Sequence, residues 1–355
     1  MITKTFKDVK ISGIACAMPT HQVMTDSYTE YFGEEVIEQF KSVTGIKSRY
    51  LSNGKQTASD LCFVAARELL DSGKAKREDI DGLLFFTQTP DYRSPSTAFV
   101  LQHRLGLKED CVTFDVNLGC SAFVNALYTA SSMISGGGLL NVLCLIGDAR
   151  LNHPVYMKDK SSTLMFGDAG SAILISKITD GGGGLRCAIR SDGSGYKSII
   201  RITPGERFPD GYPEPLEPGL ARKMNGDDIF IFSMTKVPAL FKEFFAENGC
   251  SMNDYDYCVL HQANLMILKT IAKKLKLPPE KMPVSLDIYG NTDGASIPMS
   301  IVDLIDRGNP KEHMRFITSG FGVGLSWALA DFELNKSDVL PPVFTDEYYK
   351  EGFEV

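Results

Sequence analysis

The chain has 355 residues, 43% of them apolar, which is enough for one large domain or two of ordinary size around a substantial core. A formal net charge of -7 with no long basic run argues against a general nucleic-acid binder. Its 8 cysteines include no C-x-x-C pair, the amino terminus lacks a signal-peptide core, and no run reaches the ~18 apolar residues of a membrane span, so neither a zinc site nor a disulfide framework is expected and a reducing cytoplasm is.

In chain order, Val9 to Ala17 reads as a strand stopped by Pro19, followed by a helix that Asp26 caps and that runs towards Phe40. Ala58, Leu61, Cys62, Ala65 and Leu69 make one apolar helix face ended by Gly73. Leu83 to Thr87 is a short buried strand, Pro95 to Leu105 a helix with proline in its first turn, and Cys111 to Val116 a strand. That strand turns at Gly119 into a helix from Ser121 to about Met133. Asn141 to Ile146 and Ser171 to Ile178 are further strands.

Residues 191–225 are rich in Gly and Pro without a steady period and read as a surface excursion, either a cover for a pocket or an inert insertion. The order of elements then repeats. A helix with Phe230, Met234, Val237, Phe241, Phe244 and Phe245 on one face leads to the strand Tyr257 to Leu260. The helix Asn264 to Leu275, a strand-like Met282 to Ile288, the turn Gly290-Asn291, and a helix from Ala295 to about Asp306 follow. Arg315 to Thr318 and Leu325 to Phe332 close the set as strands. Two similar α/β halves are expected, 1–180 and 181–334, with a tail over 335–355. Their strands, buried on both faces, should form largely parallel sheets sandwiching helices, with functional groups at the strands' carboxyl ends.

Three such ends carry chemistry. Cys120 stands at a helix start, where unsatisfied N–H groups and the helix dipole favour the nucleophilic thiolate, although any one of eight cysteines is more often plain core. His261, in Val259-Leu260-His261-Gln262-Ala263-Asn264, leaves a strand for a helix; taken alone, such a histidine is more often a structural hydrogen-bonder. Asn291 sits in the tight turn Tyr289 to Ser296, and Ser319-Gly320-Phe321-Gly322-Val323-Gly324 is a glycine loop that either bends between strands or exposes an N–H to an oxyanion. Pseudo-symmetry would gather Cys120, His261 and Asn291 in one cleft.

These pieces resemble the thiolase superfamily, and most closely the 3-oxoacyl-[acyl-carrier-protein] synthase III family. The matching segments, in order, are Thr44-Gly45-Ile46-Lys47-Ser48-Arg49, Gly119-Cys120-Ser121-Ala122-Phe123, Phe166-Gly167-Asp168-Ala169-Gly170, His261-Gln262-Ala263-Asn264-Leu265, Gly290-Asn291-Thr292 with Ala295-Ser296-Ile297-Pro298, and the glycine loop with Trp327. The resemblance implies a thiolase-like fold of two pseudo-symmetric βαβαβαββ halves in a five-layer αβαβα sandwich, assembled as a homodimer. It implies a decarboxylating Claisen condensation of a Cys120-bound acyl primer with malonyl-carrier protein, needing no metal and no cofactor. The primer would come from an acyl thioester, either acyl-CoA or acyl-carrier protein. Backbone N–H groups of Cys120 and Val323 would form the oxyanion hole, neutral His261 and Asn291 would donate to the malonyl thioester oxygen, and Phe321 would gate the site. Lys269, Lys273 and Lys274 match a basic helix that docks the acidic carrier protein; a solvated helix face is the plainer alternative.

Some family features are missing. Gln39 and Val43 stand where a tryptophan and an arginine clamp coenzyme A, Met266 replaces a phosphate-contacting arginine, and Lys160 stands at another arginine's place, so coenzyme A binding should be weaker. A condensing enzyme of specialised metabolism is therefore a second reading, and a non-catalytic subunit of a heterodimer a third.

Overall fold

The computed structural model describes residues 3–150, 160–179, 184–202, 207, 222–308 and 310–354, with side chains for all but 160–162 and 222–223. Runs such as Leu143-Cys144-Leu145-Ile146 carry apolar residues to both faces, and such strands are stable only when covered on both sides. They build two large sheets, beside which β3 (Gln22–Met24) pairs with β4 (Ser48–Tyr50). The first has six strands in the order β15 (Val343–Phe344), β2 (Val9–Met18), β8 (Ala169–Lys177), β7 (Asn141–Asp148), β5 (Gly82–Phe86) and β6 (Val112–Val116). The second has five, β1 (Thr3–Phe6), β9 (Leu185–Ser191), β14 (Ser326–Asn335), β13 (His313–Gly322) and β12 (Tyr257–Leu260).

Helices α5 (Ala122–Gly137) and α10 (Ser296–Arg307) lie between the sheets, where Phe123, Leu127, Ile297, Ile301, Phe316 and Phe332 form a common core. On the outer face of the six-stranded sheet pack α3 (Ala58–Asp71) and α4 (Thr97–Leu105). The outer face of the five-stranded sheet is covered by α7 (Gly226–Asn248) and α8 (Leu265–Leu275). The layers run αβαβα, as the resemblance implied. Both parallel strands that lead into the central layer, β6 and β12, end beside the starts of functional turns.

The sheets are mixed rather than largely parallel. β5 is parallel to β6 and β7, and β12 to β13, but β7–β8, β2–β8, β13–β14 and β14–β9 are antiparallel. The short link from Gly322 to Ser326 permits only a reversal, since a parallel return needs a dozen or more residues. The halves also trade terminal strands, β1 pairing with β9 and the tail's β15 with β2.

Other expectations are corrected. In place of one helix from Asp26 there are a 3-10 turn over Thr25–Tyr28, then α1 (Thr29–Phe32) and α2 (Glu34–Thr44), broken at Gly33 with φ +87. Asp26 caps nothing; its carboxylate pairs with Lys41. Met282 to Ile288 is not a strand: after a 3-10 turn over Pro279–Lys281 the chain runs without regular structure into the short helix α9 (Leu286–Tyr289). The carbonyls of Asp287 and Ile288 are taken by Lys47 N–H (3.0 Å) and Ser48 Oγ (2.9 Å), so that stretch bonds to the Thr44–Arg49 segment instead of to a sheet. The helix from Phe230 buries Phe232, Val237, Leu240, Phe241 and Phe244, a face rotated from the expected one. In the 191–225 excursion, β10 (Ile199–Arg201) pairs with β11 (Arg222–Met224), while 203–206 and 208–221 lie outside the described residues.

The tail is structural. Gln56 Nε2 donates to the carbonyls of Thr345 and Glu347 (2.9 Å each), and Tyr92 Oη donates to the Gly352 carbonyl (2.6 Å). Tyr349 stacks at 4.5 Å on Arg104, which is paired with Asp60 in a buried pocket. A short α6 (Lys160–Met165) completes the helices; the side chain of Lys160 lies outside the described residues.

Candidate active site

β6 runs out at Val116, and the chain reaches Cys120 one residue before Ser121, the N-cap of α5. That placement gives Cys120 the free N–H groups and positive dipole end of a 16-residue helix. Among the cysteines, Cys16, Cys62, Cys111, Cys144, Cys187 and Cys258 are buried, and burial pushes every one of those thiols up. They are inert core groups. Cys120 is half-buried, so access separates it from them.

The glycine loop closes directly over the sulfur. A Cβ on Gly322, whose φ is +156, would stand 2.6 Å from Cys120 Sγ, and one on Gly320 would stand 2.8 Å from Ser121 Cα. Only glycine lets the loop pass this close. Ser326 Oγ donates to the Val323 carbonyl at 2.8 Å and lies 2.7 Å from Ser121 Oγ, which ties the loop to the start of α5.

His261 follows β12. Its N–H donates to the Ser319 carbonyl at 2.9 Å, and its Nδ1 lies 2.7 Å from Ser296 Oγ at the start of α10. Ser296 Oγ also accepts the Gln262 N–H at 3.4 Å; a hydroxyl proton donated to His261 Nδ1 would leave Nε2 as the protonated nitrogen. Burial, and then the charge of Arg150, lower the His261 pKa to about 3, so the ring is neutral. Phe321 packs edge-on to it, with ring centroids 5.6 Å apart, and is itself buried.

Asn291 is held in a turn braced from two sides. Its N–H donates to the Met165 carbonyl at 2.9 Å, and its own carbonyl accepts from the Gly167 N–H at 3.1 Å. A Cβ on Gly167 would stand 2.1 Å from the Tyr289 carbonyl oxygen, and one on Gly290 would stand 2.8 Å from Cγ of the fully buried Arg49. These contacts explain why the Thr44–Arg49 and Phe166–Gly170 segments accompany the asparagine turn. Asn291 Oδ1 accepts the Asp293 N–H at 2.9 Å, which leaves the amide's two N–H bonds for another acceptor.

The structure thus gathers Cys120, Phe321, Val323, His261 and Asn291 around one point. Sequence reasoning missed Asp293 and Arg150, which join them there. Asp293 Oδ1 accepts from Cys120 Sγ at 3.2 Å, and Arg150 pairs with the same carboxylate. Lys269, Lys273 and Lys274 lie apart from this point, exposed on α8, with Lys274 Nζ also donating to the Met234 carbonyl at 3.0 Å. Met266 is on the same exposed face, and Gln39 and Val43 are exposed on α2, which packs against α8.

Comparison with known proteins agrees with this arrangement. Residues 114–193 match the family model described as 3-oxoacyl-[acyl-carrier-protein (ACP)] synthase III, and residues 245–333 match the model of its C terminal. A beta-ketoacyl-[acyl-carrier-protein] synthase III of Clostridium perfringens is 36% identical over 332 residues, covering 92% of this chain and 100% of that one. One from Xanthomonas campestris is 32% identical over 321 residues, covering 90% and 97%. The crystal structure of a 3-oxoacyl-(acyl-carrier protein) synthase from Burkholderia xenovorans superposes with a TM-score of 0.87 at 32% identity, covering 97% of this chain and 99% of that one.

Proposed function

This chain belongs to the 3-oxoacyl-[acyl-carrier-protein] synthase III family, and on that premise we propose that Cys120, His261 and Asn291 carry its reaction. The reaction is the acyltransferase step of fatty-acid biosynthesis in which an acyl primer condenses with a malonyl thioester. Half 1–180 supplies the nucleophile and half 181–334 the hydrogen-bond donors. The observation that carries the assignment is the convergence of a half-buried thiol at a helix start with a neutral, buried histidine and an asparagine whose amide N–H groups are free of its turn.

In the first step Cys120 Sγ attacks the primer's thioester carbon and the carrier thiol leaves. The backbone N–H groups of Cys120 and Val323 receive the oxyanion; one such donor is worth about 3 kcal/mol of barrier. In the second step malonyl-carrier protein enters and loses carbon dioxide. Its thioester oxygen becomes enolate-like only as the carbon–carbon bond breaks, so donors at His261 Nε2 and the Asn291 amide stabilise the transition state more than the substrate. The carbanion attacks the acyl-cysteine, giving the 3-oxoacyl thioester and freeing Cys120. A charged imidazolium would also donate, but burial and Arg150 keep His261 neutral, so the site holds no extra proton to quench the carbanion. Phe321, buried against His261, keeps water from the acyl-cysteine.

The exposed face of α8 with Lys269, Lys273 and Lys274 is the proposed landing place for the acidic carrier protein. A homodimer in the cytoplasm is the proposed assembly; β6, at the sheet edge with Val112 exposed and its other side chains half-buried, suits an interface between copies. Among the described residues no helix is long and apolar enough to cross a membrane.

Intact-protein mass tests the reading. The chain is incubated separately with acetyl-CoA, octanoyl-CoA and octanoyl-carrier protein, beside Cys120→Ala. An adduct of the acyl mass, absent from the variant, is expected. Absence of an adduct from every donor would overturn it.

A further inference from the structure

We propose that Asp293 is the base that takes the Cys120 thiol proton during loading, a role that rests on the condensing reading above. Asp293 lies inside the Gly290–Pro298 turn, between Gly290-Asn291-Thr292 and Ala295-Ser296-Ile297-Pro298.

The geometry is specific. Asp293 is buried, 1% exposed, and each carboxylate oxygen has a separate task. Oδ1 accepts the Cys120 Sγ–H hydrogen bond at 3.2 Å, while Oδ2 faces the Arg150 guanidinium. Arg150 is in turn held by Gln88 Oε1 at 3.2 Å and lies 4.5 Å above the Phe166 ring. Oδ1 is thereby left turned to the thiol as a proton acceptor.

The surrounding residues leave space for it. A Cβ on Gly119 would stand 2.8 Å from Asp293 Oδ1 and 2.7 Å from Gln88 Oε1. One on Gly294 would stand 2.9 Å from Ile146 Cγ2 and 3.1 Å from the Gly119 carbonyl oxygen. Both glycines flank the sulfur–carboxylate contact. Asp293 itself has φ +52, a conformation that Asp, Asn and Gly tolerate and most residues do not. The same turn therefore aims the Asn291 amide and seats a carboxylate against the nucleophile.

The proton moves from Cys120 Sγ to Asp293 Oδ1 as sulfur bonds to the primer's acyl carbon. The tetrahedral intermediate collapses, the bond from that carbon to the carrier sulfur breaks, and the proton passes from Asp293 to the departing thiolate. One thioester is exchanged for another, and the carboxylate is restored. His261, neutral and tied through Nδ1 to Ser296, is left free for the malonyl half of the cycle.

The competing role for Asp293 is to balance the charge of Arg150 and nothing more. Single-turnover loading, followed by intact mass with whichever of acetyl-CoA, octanoyl-CoA or octanoyl-carrier protein loads the wild type, separates the two. Asp293→Asn and Asp293→Gly both suit φ +52 and remove the base. General-base catalysis contributes about 10²–10⁴-fold, so both should load at least about tenfold more slowly at pH 7. Their rates should rise about tenfold per pH unit towards the thiol's own titration, which iodoacetamide alkylation measures independently. Wild-type loading should be nearly flat below that titration. The double variant Asp293→Asn with Arg150→Gln should stay slow.

Loading of either single variant at the wild-type rate, or restoration of that rate in the double variant, would overturn the proposal. So would a wild-type rate that climbs tenfold per unit below the thiol's titration, a measurement that stands even if the variants fail to fold. A wild type that loads from none of the three donors would instead sink the condensing reading on which the role rests.

Discussion

Ser296→Ala removes one oxygen atom and tests how His261 is kept in working form. The hydroxyl lies 2.7 Å from His261 Nδ1, and both residues are buried, at 1% and 2% exposure. Water cannot replace the lost partner, so the cost combines a net hydrogen bond of about 1 kcal/mol with part of the 1–3 kcal/mol penalty for an unpaired buried nitrogen, about 2 kcal/mol in all. If half or more of that appears in the transition state, where Nε2–H must face the developing enolate, condensation slows by about fivefold to thirtyfold. Release of carbon dioxide from malonyl-carrier protein reads this step, and intact-mass loading of Cys120 reads the other. The loss should fall on carbon dioxide release, and Ser296→Thr, which keeps the hydroxyl, should recover most of it. Equal slowing of both half-reactions would refute the tautomer argument, because a general distortion of the cleft would not choose between them.

Gly322→Ala would place a methyl 2.6 Å from Cys120 Sγ, so the sulfur or the loop must shift by about 1 Å; loading should fall about 10²-fold with about 1–3 kcal/mol lost in urea unfolding. His261 titrates near 6.5 when unfolded and about 3 when folded, so below pH 6.5 the unfolded state binds the extra proton and stability falls with pH. By pH 5 that costs about 2 kcal/mol, measurable as a difference between urea midpoints at pH 7 and 5 that shrinks in His261→Gln. Carbon dioxide release should show no inflection from His261 between pH 8 and 5. Truncation after Asn335 removes β15 and, among other contacts, three side-chain hydrogen bonds from Gln56 and Tyr92, and should cost at least about 3 kcal/mol at ~1 kcal/mol each, read by denaturant titration.

Much of this arrangement was legible in the sequence because it is local. Apolar runs that suit both faces of a strand, glycines at turns and the cysteine, histidine and asparagine at element ends all declare themselves within a few residues. What was hidden depends on distant partners. Met282, Val284, Leu286 and Ile288 alternate like a strand, yet Lys47 and Ser48 take the carbonyls a sheet would have used. The start of α4 is capped from outside, by Asp115 accepting the N–H groups of Thr97 and Ala98 at 2.7 Å each. Arg150 meets Asp293 across 143 residues of chain (293 minus 150), and no short-range pattern announces that pair. The role of Ser296 was hidden for the same reason: its hydroxyl matters through a ring 35 residues away.

The exposed residues of α2 and α8 bear on the proposed source of the primer. Coenzyme A brings an adenine and extra phosphates that need stacking and forked donors, and if the resemblance places those contacts at Gln39, Val43 and Met266, this chain offers neither there. Val43 and Met266 are 39% and 43% exposed, apolar groups in water that offer a phosphate nothing. A carrier-borne pantetheine arm needs no adenine clamp, because its protein brings its own contact surface. Met266, Lys269 and Lys273 share one exposed stripe of α8 at i, i+3 and i+7, so the apolar residue adjoins the lysines that would meet an acidic carrier. Affinity lost from nucleotide contacts can then be recovered from a protein surface, where attraction is salt-sensitive and works mainly by speeding encounter. Both half-reactions would in that case draw their thioesters through the same lysine-edged face.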